Sequence, residues 1–167
     1  MSQPKILVVD DSPNILKALR RTFALEDYGI ICAISAIEAL NVLANEHIDI
    51  IISDENMPGV TGTELLEQVR DLYPDTIRMM LTGATDIKVA KNAINQGAIS
   101  RFFTKPWEDY ELLIGVMQAL KVSRLEKENE KLKSSIRKQE KLLQELEKEY
   151  PGIAEKRLAT DGSFIID

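Results

Sequence analysis

An open, doubly wound parallel α/β sheet is the fold this chain predicts, and three observations predict it. Five short runs rich in Ile and Val recur before about Gly115, each nearly continuous in apolar character, as strands buried on both faces are. The segments between them carry apolar residues at helical spacing, and each opens on a capping signal. Acidic residues stand at the ends of the first and third runs and a lysine follows the fifth, so the polar side chains gather at one edge.

The strands are expected at Ile6–Val9, Ile30–Ile34, Ile48–Ser53, Ile77–Leu81 and Ile99–Phe103. Ser12-Pro13 opens the first helix as an N-cap followed by proline at the first helical position. Ile15, Ala18, Leu19, Thr22 and Phe23 then share one face. Ser35-Ala-Ile-Glu38 and Thr61-Gly-Thr-Glu64 fit the capping box ahead of the second and third helices. Thr85 or Asp86 caps the fourth, with Ile87, Ala90 and Ile94 inward. The fifth starts at Pro106, with Glu108 and Asp109 near its positive end. Right-handed crossovers arrange such a β-α alternation as a flavodoxin-like five-stranded sheet of order 2-1-3-4-5. Ligands bind that sheet at the carboxyl ends of its first and third strands, where Asp10, Asp11 and Asp54 fall.

Composition bounds the reading. With 167 residues the chain allows one domain and an appendage. A net charge of -6 argues against non-specific nucleic-acid binding. The single cysteine, Cys32, permits no internal disulfide, suits a reducing cytoplasm and reads as a small buried hydrophobe. The N-terminus lacks a secretory pattern, and no apolar run approaches the ~20 residues needed to cross a bilayer. A cytoplasmic protein without membrane contact is expected.

The carboxylates carry the chemistry. Without a cation, Asp10, Asp11 and Asp54 would repel one another and raise each other's pKa. Mg²⁺ relieves that conflict, since it takes oxygen ligands and retains waters and phosphate oxygens. Asp54 can then attack phosphorus and become an acyl phosphate, with Lys105 as a point charge on one phosphoryl oxygen and Thr82 offering a hydroxyl to another. Gly83 would leave room for close backbone approach.

On these residues, Asp10-Asp11, Asp54 within Asp-Glu-Asn-Met-Pro-Gly, Thr82 and Lys105-Pro106, residues 1–120 resemble the receiver domain of two-component response regulators. The resemblance implies a phosphorelay switch rather than an enzyme on external substrates, catalysing only its own phosphorylation and dephosphorylation. Asp54 would accept phosphate from a sensor histidine kinase or a small phosphodonor. Asp11 would bind Mg²⁺ directly, Asp10 largely through water, and the Asn56 backbone carbonyl would complete the protein ligands. The switch of such domains maps onto Thr82 and Phe102, and change at the face of helix 4, strand 5 and helix 5 would pass on into the helix 5 extension. One of Phe102 and Phe103 must face the core, and strand alternation points the other outward. Leu81-Thr-Gly-Ala-Thr-Asp86 with Lys105-Pro-Trp107 is similar to a subset of receivers joined to cyclic-dinucleotide phosphohydrolases or hydrogenase-type regulators. Trp107, Met79 and Met80 read as packing, and His47 as a surface residue.

From Val122 a heptad runs with Val122, Asn129, Ile136, Leu143 and Tyr150 at a and Leu125, Leu132, Gln139 and Leu146 at d. Lys121 can meet a partner's Glu126, and Glu128 a partner's Lys133, so a parallel homodimeric coiled coil over 116–150, continuous with helix 5, is expected. At 1.5 Å per residue the helix would run roughly 60 Å, ending at Pro151-Gly152. The tail, 151–167, carries a hairpin signal around Asp161-Gly162. Two other classes fit less well. A haloacid-dehalogenase-type phosphatase needs Asp-x-Asp after strand 1, and a basic zipper needs a basic run that Glu126, Glu128 and Glu130 interrupt. An output domain or an effector protein is the expected further partner, and a scaffold working through protein contacts is the alternative.

Overall fold

The computed structural model describes residues 2–153. The chain divides into two compact units, Met1–Lys121 and Val122–Asp167.

Five parallel strands form the first unit's sheet: β1 Lys5–Val9, β2 Gly29–Ala33, β3 Ile50–Asp54, β4 Ile77–Thr82 and β5 Arg101–Thr104, in the order β2-β1-β3-β4-β5. The fold is therefore the flavodoxin-like α/β sheet that the sequence predicts. Register places Val9 beside Ser53 and Asp54 beside Leu81. In a parallel sheet all carboxyl ends lie at one edge, so the residues closing β1, β3 and β4 become neighbours.

Helices α1 Pro13–Thr22, α2 Ala36–Asn45, α3 Gly62–Leu72 and α4 Ile87–Asn95 connect the strands, with a single 3-10 turn, Ala84–Asp86, ahead of α4. Strand alternation divides the core into two layers. Ile6, Val8, Ile50, Ile52, Met79 and Leu81 pack with Leu16 and Leu19 of α1, with Phe23 just past its end, and with Leu112 and Val116. Leu7, Val9, Ile51 and Met80 pack with α2, α3 and α4. Each such fully buried aliphatic side chain contributes about 1.5–3 kcal/mol.

The apolar runs extend past the strands. Ile48 and Ile99 precede β3 and β5 but are buried in the turns, and Ile34 lies past the end of β2. Caps differ too. At Thr61 the capping box is complete, the Glu64 N–H donating to Thr61 Oγ1 at 3.2 Å and the Thr61 N–H to Glu64 Oε2 at 2.8 Å. At Ser35 it is partial, because the Glu38 carboxylate turns back to the Ile34 N–H at 2.8 Å. Ser12 makes no side-chain cap. In α4, Ala93 is buried where Ile94 was expected, and Ile94 stays 38% exposed. Cys32 is half-buried rather than buried, because β2 is an edge strand. Its Sγ accepts from Arg20 Nε at 3.1 Å.

The fifth helix, α5, spans Asp109–Glu149. It begins later than Pro106, as Pro106 and Trp107 belong to the connection and the Glu108 carbonyl accepts the first helical bond, from Leu112 N–H at 3.1 Å. In the first unit α5 buries Leu112, Gly115 and Val116. In the second unit its heptad positions are solvent-facing: Val122 is 53% and Leu132 59% exposed, and Ile136 and Leu143 are similar. Only Leu146 among the apolar d positions is half-buried. The helix closes at a turn through Pro151–Gly152, where Gly152 has φ +84° and its N–H donates to Glu147 Oε1 at 2.9 Å. The hairpin expected in the tail lies outside the described residues.

Candidate phosphoryl and metal site

Asp10 stands one residue past β1, where its N–H still donates to the Ala33 carbonyl at 3.1 Å. The residue is 2% exposed. Oδ1 accepts the Ser12 N–H at 2.9 Å, which fixes the chain at the entry to α1. Oδ2 accepts Lys105 Nζ at 2.7 Å. Asp54 ends β3, 7% exposed, and its Oδ1 lies 3.1 Å from the same ammonium. Asp11 is exposed beside them. One carboxylate oxygen from each of Asp10, Asp11 and Asp54 lies within 4.8 Å of the others.

Two opposed ligands on one magnesium ion stand about 4.2 Å apart, twice the usual metal–oxygen distance. A triad of carboxylates already within 4.8 Å needs only small side-chain adjustment to share such an ion. The donor set, all hard oxygen with one member open to solvent, fits magnesium and leaves positions for water and phosphate oxygens.

Burial raises the Asp54 carboxyl above the usual aspartate range. The Lys105 hydrogen bond and charge oppose that rise, and Asp10 adds to it. For Lys105, burial alone would favour loss of the proton, but the hydrogen bonds and charges of Asp10 and Asp54 outweigh it and leave its pKa raised. The lysine is therefore charged, and it serves as a local counter-ion to two carboxylates.

The main chain aims this lysine. The Lys105 N–H donates to the Thr82 carbonyl at 2.7 Å, and the Lys105–Pro106 peptide is cis. Thr82 ends β4 fully buried. Its hydroxyl donates to the Gly83 carbonyl over a long 3.4 Å. Gly83 lies in open space, since a Cβ there would find nothing within 4 Å. Asn56 lies exposed in the connection after β3, and its side-chain amide donates to Asp86. Phe102 and Phe103 face opposite layers, and both are half-buried. Phe103 packs with α1 and α5, Phe102 with the other layer. Neither points outward, because helices cover both faces of β5.

Two contributors escaped the sequence reading. Glu55 is buried, and its Oε2 accepts both the N–H (2.8 Å) and the hydroxyl (2.7 Å) of Thr63. Burial raises its pKa against those two bonds. Gly62 opens α3 so close to β3 that a Cβ would sit 2.1 Å from the Asp54 carbonyl oxygen. These contacts tie the start of α3 to the backbone carrying Asp54. The run Thr61-Gly-Thr63 after an acidic pair was the available signal.

Residues 6–117 match the family described as response regulator receiver domain. The hydrogenase transcriptional regulatory protein HoxA of Bradyrhizobium diazoefficiens is 36% identical over 128 residues, covering 77% of this chain and 26% of that protein. The chain thus spans about a quarter of the length of the curated relatives it matches first. The signal receiver domain of an HD domain-containing protein from Pseudomonas fluorescens Pf-5 superposes with a TM-score of 0.72 at 38% identity, covering 77% of this chain and 95% of that one. A CheY-like receiver domain protein from Methanospirillum hungatei JF-1 does so with 0.70 at 29%, covering 75% and 99%.

Proposed function

The chain belongs to the response regulator receiver domain family of two-component signalling, and we propose that it works as a switch phosphorylated on Asp54 with Mg²⁺ bound. One observation carries this reading: a single buried ammonium bridges Asp10 at 2.7 Å and Asp54 at 3.1 Å while Asp11 completes a three-carboxylate cluster.

Asp10, Asp11, Asp54 and the Asn56 carbonyl would hold the ion, which when bound offsets phosphoryl-oxygen charge. An Asp54 carboxylate oxygen forms a bond to phosphorus as the bond from phosphorus to the donor, a phosphohistidine nitrogen or an acyl phosphate oxygen, breaks. The electron pair leaves with the donor. Lys105 exchanges its Asp54 contact for a phosphoryl oxygen, and its fixed charge lowers the barrier because it is in place beforehand. Thr82 turns its hydroxyl to another oxygen, and Phe102 follows. The reaction modifies the chain itself, and its reversal by water is the only other chemistry assigned.

The signal passes through α4, β5 and α5 into a parallel homodimeric coiled coil over 116–150, with receiver residues 1–120 as the input unit. The exposed stripe Val122, Leu125, Leu132, Ile136 and Leu143 supports pairing, and Asn129 at a favours two parallel strands in one register. A sensor histidine kinase in the cytoplasm is the natural donor, and an output domain or effector protein the natural recipient. Among the described residues no helix is long and apolar enough to cross a membrane. Lys105-Pro-Trp107 marks a likeness to receivers of hydrogenase-type regulators and HD-domain proteins.

Incubation with acetyl phosphate and Mg²⁺, followed by intact mass and solution molecular weight, tests both halves. Wild type gains one phosphoryl group and Asp54→Asn gains none. An adduct that persists in Asp54→Asn overturns the acceptor, and a micromolar monomer in both states overturns the dimer. Equal hydrogen exchange over 122–149 with and without beryllofluoride overturns the coupling.

A further inference from the structure

A hydrogen-bonded cluster beyond β5 takes no part in the chemistry above. Trp107 Nε1–H points at Thr22 Oγ1 (3.0 Å) and Asp109 Oδ1 (3.1 Å). The Thr22 hydroxyl donates to the same Asp109 oxygen at 2.7 Å, with the Ala18 carbonyl a longer alternative at 3.1 Å. Thr22 is buried at the end of α1, the indole is half-buried against the layer shared by α1 and α5, and Asp109 is the first residue of α5. Phenylalanine at 107 would bury comparable area. What the indole adds is a polar tip with a fixed direction, and here that tip is held from two helices.

The connection to the site is short. Lys105 is pinned through its N–H to Thr82 and through its ammonium to Asp10 and Asp54. Trp107 is pinned to Thr22 and Asp109. Only Pro106 lies between them, and its ring fixes φ, so little slack exists to absorb movement at either end.

We propose that Trp107, Thr22 and Asp109 form a positioning latch that holds Lys105 at the carboxylates and ties its placement to the first turn of α5. This inference rests on the phosphorylation reading and gives α5 a second input, separate from Thr82 and Phe102. When Lys105 turns from Asp54 to a phosphoryl oxygen, the main chain of 105–107 shifts, and the latch carries that shift to Asp109. In the reverse direction, a latch weakened at Thr22 leaves Lys105 poorly aimed and phosphoryl analogues weakly held.

Trp107 is the only tryptophan in the chain, so its emission reports on the latch alone. In the ligand-free protein, Lys105→Met is expected to shift that emission and raise quencher access, although residue 105 does not touch the latch atoms. Thr22→Val removes the hydroxyl and keeps the shape. It is expected to weaken beryllofluoride binding in Mg²⁺ roughly threefold to tenfold, the scale of one lost hydrogen bond, and to reduce the exchange change over 109–116. Thr22→Ser is expected to restore both, and Asp109→Ala, which removes the shared acceptor, repeats the test should the valine variant fail to fold. Unchanged emission in Lys105→Met, or wild-type affinity and exchange response in Thr22→Val, overturns the latch. If wild type itself binds no beryllofluoride, the phosphorylation reading falls, and the ligand-free emission of Lys105→Met alone decides the latch.

Discussion

The first unit and the helical segment beyond Val122 use leucine in opposite ways. Leu65, Leu66 and Leu112 of the first unit have no exposed surface, whereas Leu125, Leu132 and Leu143 keep 51%, 59% and 58% of theirs. One copy of the first unit builds a leucine core of its own, although Leu25 and Leu72 stay 98% and 63% exposed; the described leucines at the heptad positions of the second build none within one copy. The difference teaches that the proposed phosphoryl site is assembled from the core of one chain, while the second segment's stripe needs cover, under our proposal from a second copy.

Leu132→Lys would break that comparison most forcefully. A charge at a core d position is expected to abolish the dimer in sedimentation while leaving the first unit's thermal midpoint in place. A dimer that survives would mean the stripe is not the seam. Next, Leu66→Ala is expected to cost about 3–4 kcal/mol in urea unfolding, as a buried leucine does. Leu132→Ala in the monomeric background should cost no more than about 0.5 kcal/mol. Equal losses would erase the distinction.

Within the first unit, Gly62→Ala forces a methyl group to 2.1 Å from the Asp54 carbonyl oxygen. Backbone must move, so a loss of about 2–3 kcal/mol and slower uptake from acetyl phosphate are expected. Gly83→Ala, in open space, should change stability little. Thr61→Ala removes half of a complete capping box and should cost about 1 kcal/mol in the same unfolding assay.

The smallest effect is a pH dependence. Because the folded pKa of Asp54 is raised by burial, the folded chain keeps a proton that the unfolded chain releases first. The stability this gives is present below the unfolded value and is lost as pH rises through the folded one. Without Mg²⁺, wild type should therefore lose more stability than Asp54→Asn as pH climbs out of the ordinary aspartate range. Parallel pH profiles in chemical denaturation would contradict this.

The sheet was legible because short β-branched runs such as Ile50-Ile51-Ile52, set between capping signals, suit strands covered on both faces, and parallel order puts their polar ends at one edge. The convergence of Asp10, Asp11, Asp54 and Lys105 follows from that topology. What stayed hidden depends on spacing between elements rather than on local pattern. That Gly62 must lack a side chain is decided by how tightly α3 meets β3. That Ala93, not Ile94, faces inward is decided by how α4 is rotated on the sheet. Phe102 and Phe103 both found cover because the helices reach the edge strand on both sides, which alternation alone cannot tell. Glu55 gave no signal apart from its neighbours, since its partner Thr63 lies across the turn into α3.

The helical ladder ends with the Tyr150 N–H on the Leu146 carbonyl, two residues before Gly152 at φ +84°, and twist is carried along a helix only as far as its i to i−4 bonds run. A reporter spliced in helical phase before Tyr150 would turn with the helix, whereas one attached past the turn at Pro151–Gly152 would lie outside its ladder. Fluorophores placed at those two points would separate a screw-like output from a scissor-like one.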